Sequence, residues 1–88
     1  MNIKLMNSVW MARLPTHTMK LVLLALACHA NHQGMAWISV LSIAVMCDLS
    51  RQCVFTQISK LKAAGFILVE SEGDGKPSRY TILLDSGD

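Results

Sequence analysis

The spacing of apolar residues changes once along the chain, at Gly65. Before this glycine, apolar residues recur at the 3.6-residue period of helices in three segments; after it, they alternate with the two-residue period of strands. Residues 66–70 and 79–83 are predicted strands, and the Gly- and Pro-containing segment 71–78 between them is a predicted turn. The fold class predicted is therefore α+β and mainly α, with three helices followed by a β-hairpin.

Polar caps and breakers set the predicted helix boundaries. Thr16 or Thr18 caps a first helix that runs to about residue 30, Ser39 caps a second that ends near residue 47, and Ser50 caps a third that ends near residue 64. Asp48 tolerates the turn between the last two helices, and Gly65 fits the position that follows a helix end. Residues 16–84 are thus one predicted domain, preceded by an arm or short strand over 1–15 and followed by a tail over 85–88.

Charge and apolar content limit the classes of function. The net charge of +2 is unevenly distributed, because residues 1–69 carry +5 and residues 70–88 carry −3. A basic body suits an anionic partner such as nucleic acid. The longest apolar run, residues 21–28, is far shorter than the roughly 18 residues of a membrane-spanning helix. We therefore expect no membrane association.

Chemistry-bearing residues are sparse. The three cysteines form an odd set without Cys-x-x-Cys spacing, which is typical of reduced thiols in a cytoplasmic protein. Cys28, His29 and His32 are close in sequence but lack a second ligand pair, so we expect no metal or other cofactor. Paired carboxylates, a nucleophile elbow and a phosphate loop are all missing from the sequence, and we expect neither an enzyme nor a small-molecule substrate.

The third predicted helix has one apolar and one polar face. Val54, Ile58 and Leu61 form the apolar stripe. The opposite face contains short or amide side chains flanked by cations and Phe55, and it has no acid: Arg51, Gln52, Thr56, Ser59, Lys60 and Ala63. Such a face suits the DNA major groove, because slim polar residues can approach base edges while cations contact phosphate. An ordinary solvated face is the alternative. Phe55 could contact thymine or a partner protein, but we expect it to fill the edge of the core.

Several segments resemble winged helix-turn-helix domains of the phage and plasmid replication-initiator-like family. Residues 15–27 read Pro-Thr-His-Thr-Met-Lys-Leu-Val-Leu-Leu-Ala-Leu-Ala, similar to the leucine-rich first helix of those domains. Gly34, Trp37 and Ser39 follow in the family's order, and residues 50–61 are similar to its third-helix pattern. The exit at Lys62 and Gly65 and the Tyr80 strand also match. The similarity covers about residues 9–84, with departures at Ile38, Asp48 and Cys53.

The resemblance implies a winged helix-turn-helix fold that binds double-stranded DNA, in replication initiation or transcription regulation. The helix over 50–64 would lie in the major groove and the hairpin would act as the wing. The DNA-binding residues implied in this way are Ser50, Arg51, Gln52, Thr56, Ser59, Lys60, Lys76, Ser78 and Arg79. Acids in the hairpin, at Glu70, Glu72 and Asp74, oppose strong binding by the wing.

Two further expectations concern partners. A homodimer could form through residues 1–14, or Trp10 and Met11 could instead cover the first predicted helix. The second candidate function is a winged-helix module that binds another protein without contacting DNA, which the low total charge and the apolar surplus favour.

Overall fold

The computed structural model describes residues 2–70 and 78–84. Its elements, in chain order, are α1 (Ile3–Met11), α2 (His17–His29), β1 (Met35–Trp37), α3 (Val40–Cys47), α4 (Arg51–Ala63), β2 (Ile67–Glu70) and β3 (Arg79–Ile82). The described residues thus form a small α+β structure, mainly helical, with four helices and a three-stranded antiparallel sheet. The predicted class is confirmed, but the predicted number of helices is wrong by one.

The three helices predicted from the sequence begin at the predicted caps. The side chains of Thr16, Ser39 and Ser50 each accept a hydrogen bond at 3.1 Å from the backbone N–H three residues later. Each bond satisfies one of the donors that a helix start leaves without a partner. The choice between Thr16 and Thr18 is resolved in favour of Thr16.

The ends of α3 and α4 share one hydrogen-bond arrangement. Asp48 adopts the left-handed conformation at φ 57° and ψ 42°, and Gly65 adopts it at φ 84°. The backbone N–H of the next residue then donates to a carbonyl of the preceding helix: Leu49 N to Ala44 O and Phe66 N to Leu61 O, both at 3.0 Å. This is the Schellman pattern, which allows a sharp exit from a helix. The predicted roles of Asp48 and Gly65 are confirmed.

The N-terminal segment is a helix and not the predicted arm or short strand. Leu5 and Val9 are buried and face α2, and they are four residues apart, which is the spacing of a helix face. Asn2 caps this helix by accepting from Leu5 N at 3.0 Å. Trp10 and Met11 are 58% and 85% exposed, so the prediction that they cover the first predicted helix, now α2, is wrong.

The sheet contains a strand that the sequence did not reveal. Strand β3 is central and pairs antiparallel with β2 on one side and with β1 on the other. The predicted pairing of the two C-terminal strands is confirmed, while their connection over 71–77 lies outside the described residues. Gly34, at φ 78°, precedes β1 closely enough for its carbonyl to accept from Ile82 N at 2.9 Å. A β-carbon there would lie 3.2 Å from the Ile82 carbonyl oxygen, so glycine suits the position.

Helix α2 lies at the centre of the core. It packs against α1, α3, α4, β1 and β3. Its most deeply buried side chains have no exposed surface: Val22, Leu23, Leu26 and Ala27. Within the described residues, no helix combines the length and the apolar character needed to cross a bilayer.

The burial of α1 leads to a stability prediction. We expect Leu5→Ala to lower the free energy of unfolding by about 2 to 5 kcal/mol, because it leaves a cavity between α1 and α2. Met11→Ala is the matched control on the same helix and should change it by less than about 0.5 kcal/mol. Urea denaturation followed by circular dichroism measures both. Equal, small effects would mean that α1 does not pack on α2.

Candidate nucleic-acid interface

Helix α4 has a buried face that holds it and an exposed face that is open to a partner. Val54, Ile58 and Leu61 are buried, and the helix packs against α2, α3 and β2. All the site residues predicted on this helix and its cap are exposed, namely Ser50, Arg51, Gln52, Thr56, Ser59 and Lys60. The geometry therefore brings these six residues together along one element.

The polar side chains on this face make few hydrogen bonds within the described part of the protein. Thr56 Oγ1 donates to the backbone carbonyl of Gln52 at 3.1 Å, which fixes its hydroxyl against the helix and leaves an oxygen lone pair outward. Ser50 Oγ accepts from Cys53 N. The exposed Gln52 amide and Thr56 hydroxyl, one helical turn apart, can form hydrogen bonds with base edges.

The cations on α4 have two different electrostatic environments. Lys60 and Lys62 lie in the last turn, where positive charge is favourable next to the negative end of the helix dipole. Arg51 is the first residue of the helix, where positive charge is unfavourable, and the first turn contains no acid. The helix dipole alone therefore favours the positive charge of Lys60, whereas it disfavours that of Arg51.

Two residues of α4 differ from expectation. Phe55 is 58% exposed, so it does not fill the edge of the core, because its position on the helix lies away from the buried stripe. Gln57 is only 7% exposed, and the sequence analysis did not place it on the buried face. It lies three residues after Val54 and four before Leu61, so helical spacing alone could have placed it on the buried face. Its amide nitrogen donates to Cys53 Sγ at 3.8 Å.

The predicted wing residues are less available than those on α4. Arg79 is half-buried and forms an ion pair with Glu70, its register partner across β2 and β3. Hydrogen bonding and the positive charge of Arg79 lower the pKa of Glu70. Ser78 is also half-buried, and Lys76 lies outside the described residues. Strand β3, which carries Arg79, does not pack against α4, so the structure does not bring Arg79 onto the α4 face.

Tyr80, next to these residues, is buried in the central strand. Burial raises the pKa of its phenol, and a side-chain hydrogen bond with Ser78 lowers that pKa in part. This bond gives the predicted site residue Ser78 a contact within the sheet.

Helix α3 also carries exposed apolar residues. Leu41 and Val45 are four residues apart and therefore share one face, and Val45 is 72% exposed. Neither was identified as a functional residue from the sequence, although their spacing was visible there. This face has no cation and no acid within α3.

The potential ligands for a metal ion are dispersed. Residues 2–70 and 78–84 contain no group of three His, Cys, Asp or Glu side chains arranged to hold one. Cys28, Cys47 and Cys53 are free thiols. Burial raises the pKa of Cys47, so that thiol is neutral at neutral pH.

The cap of α4 can be tested by a matched pair of substitutions. We expect Ser50→Ala to lower the free energy of unfolding by about 1 kcal/mol, because Cys53 N loses its partner. Ser59→Ala, on the exposed middle of the same helix, should leave stability unchanged or raise it by up to about 0.5 kcal/mol, since alanine has the higher helix propensity. Chemical denaturation gives both values. A loss from Ser59→Ala as large as that from Ser50→Ala would contradict the capping geometry.

The pairing of Arg79 can be tested by titration. In the folded protein we expect the pKa of Glu70 to lie below its ordinary value of 4.5, and Arg79→Gln should return it towards that value. Carboxyl ¹³C shifts of Glu70 followed from pH 7 to pH 2 by NMR measure the change. The same pKa in both proteins would show that Arg79 does not engage Glu70 in solution.

Comparison of the chain with models of known protein families, with curated proteins and with solved structures gave no significant match.

Proposed function

We propose that this protein is a winged helix-turn-helix domain that binds double-stranded DNA, with α4 in the major groove. Support for the fold comes from the order α2-β1-α3-α4-β2-β3 together with the sheet order β1-β3-β2. In this arrangement α3, the turn at Asp48 and Leu49, and α4 form the helix-turn-helix. Strands β2 and β3 then lead to and from the wing.

The observation that carries the proposal is the first turn of α4. A cation at the positive end of a helix, without a nearby acid on the helix, is destabilising in the isolated protein. A phosphate at this end would interact favourably with both Arg51 and the free N–H groups of the turn. DNA supplies such a phosphate, and the exposed Gln52, Thr56 and Ser59 then lie along the same helix to reach base edges.

The distribution of charge sets the expected strength of binding. Arg51, Lys60 and Lys62 are exposed cations on α4, whereas Glu70 neutralises the charge of Arg79. We therefore assign most of the affinity to α4 and little to the β3 end of the wing. The biological role proposed is that of a replication-initiator-like domain or a small transcription regulator. A homodimer through α1, where Ile3, Trp10 and Met11 are exposed, would add specificity.

A second candidate function is supported by the apolar face of α3. Leu41 and Val45 on α3 and Phe55 on α4 are exposed apolar side chains of the type that bind another protein. In this case the helix-turn-helix would dock on a protein partner and the polar face of α4 would remain solvated.

Salt titration separates the two functions. For Arg51→Ala and Lys60→Ala we expect affinity for duplex DNA to fall about tenfold at low salt. The slope of log K, the logarithm of the association constant, against log salt is negative, and its magnitude should decrease by about 0.9 for each phosphate that the variant no longer neutralises. Fluorescence anisotropy with a labelled duplex, repeated over a series of salt concentrations, gives both quantities.

Arg13→Ala is the matched control, because Arg13 is exposed in the connection between α1 and α2, outside both α1 and α4. It should leave affinity and slope unchanged. If all three variants behave alike, α4 is not the DNA-binding element. Failure of the parent protein to bind duplex DNA at low salt would favour the protein-binding alternative.

A further inference from the structure

An apolar pocket of about 200 Å³ lies where α1, α2 and α3 meet. Leu24 and Ala25 of α2 line it, together with Leu21 and Met46, which are each almost half exposed. None of its lining residues is a Lys, Arg, His, Asp or Glu. The pocket is therefore an apolar recess that is open to solvent.

The lining is rich in sulfur. Four of the seven residues around the pocket have sulfur-containing side chains: Met6, Cys28, Met46 and Cys47. Thioether and thiol sulfur atoms are polarisable and make favourable contacts with aromatic rings. Met46 is positioned by His29, whose Nε2 lies 3.3 Å from its Sδ. The Cys47 thiol points its hydrogen towards the Leu21 carbonyl at 3.6 Å, which occupies the one polar group of this side chain.

We propose that this pocket binds a small uncharged aromatic molecule of one or two fused rings, the size of indole. Apolar cavities of about 150 Å³ accept benzene, so a recess of about 200 Å³ has room for a slightly larger ring. A carboxylate or ammonium group inside it would lose hydration without gaining a counter-ion. A polypeptide partner needs a far larger contact area than a recess of this size provides.

Indole itself is the probe for a first experiment. ¹⁵N-labelled protein is titrated with indole and observed by heteronuclear NMR, without DNA, so the result is independent of the proposed function. We expect saturable shifts at the amides of Ala25, Cys28 and Met46, with a dissociation constant of about 0.1 to 1 mM. At ten times this concentration the melting temperature should rise by about 5 to 10 °C. Indole-3-acetate, which adds a carboxylate, should bind at least about tenfold more weakly.

Substitutions that fill the pocket provide the specific test. Ala25→Leu should abolish the shifts, and Ala63→Leu, the same change at an exposed position of α4, should leave them intact. Cys28→Leu fills the same recess from a half-buried position and serves if Ala25→Leu does not fold. Met46→Leu keeps the volume but removes the sulfur, and should weaken binding about 2- to 10-fold.

Three results would overturn the proposal. The first is the absence of saturable shifts up to about 5 mM indole. The second is indole affinity that persists in a folded variant with the pocket filled, since the ring would then bind elsewhere. The third is shifts at the pocket that grow with protein concentration without indole and vanish in Trp10→Ala. In that case the aromatic occupant would be a second copy of the chain.

Discussion

The burial of most of α2 among the other elements is the constraint on which the rest of the structure depends. Val22, Leu23 and Leu26 of this helix are fully buried, while the side that carries Leu21 stays exposed, so other elements must cover the rest of the helix. Helices α1, α3 and α4 and strands β1 and β3 do so. Even the charged Lys20 contributes, because its ammonium group donates at 2.8 Å to the carbonyl of Trp10 near the end of α1. Such a bond satisfies an acceptor that the helix end leaves without a partner.

The orientation of α4 follows from this packing. Its inward stripe is committed to α2, α3 and β2, so its opposite side must face solvent. The packing has one weakness, because Gln57 shares the inward face and its Oε1 has no hydrogen-bond partner among the described residues. A buried acceptor without a partner costs about 1 to 3 kcal/mol. The exposed face of α4 is thus fixed by apolar contacts strong enough to tolerate a polar side chain among them.

Local signals made much of this fold predictable, and non-local pairing limited the rest. Ser39, Ser50 and Gly65 mark helix boundaries by short-range hydrogen bonding, which the sequence shows directly. Strand β1 has three residues and forms by pairing with β3 more than forty positions later, so its sequence carries no period of its own. The exposure of the predicted α4 residues could be read from the sequence, because the 3.6-residue period of the helix places them opposite its apolar stripe. The neutralisation of Arg79 by Glu70 depends on the strand register, which the sequence does not specify.

Helix α3 adjoins both α4, which carries the proposed DNA-binding face, and the pocket that we propose binds an aromatic ring. Met46 and Cys47 line the pocket, and the turn that follows at Asp48 sets where α4 begins. A ring bound against α1, α2 and α3 stabilises whichever position of α3 it contacts best. A ligand that binds two states equally shifts neither, so an effect on DNA affinity requires α3 to differ between the free and DNA-bound protein. The same linkage works in reverse, because DNA would then change the affinity for the ring by an equal factor. Coupling between the two sites therefore measures movement of α3.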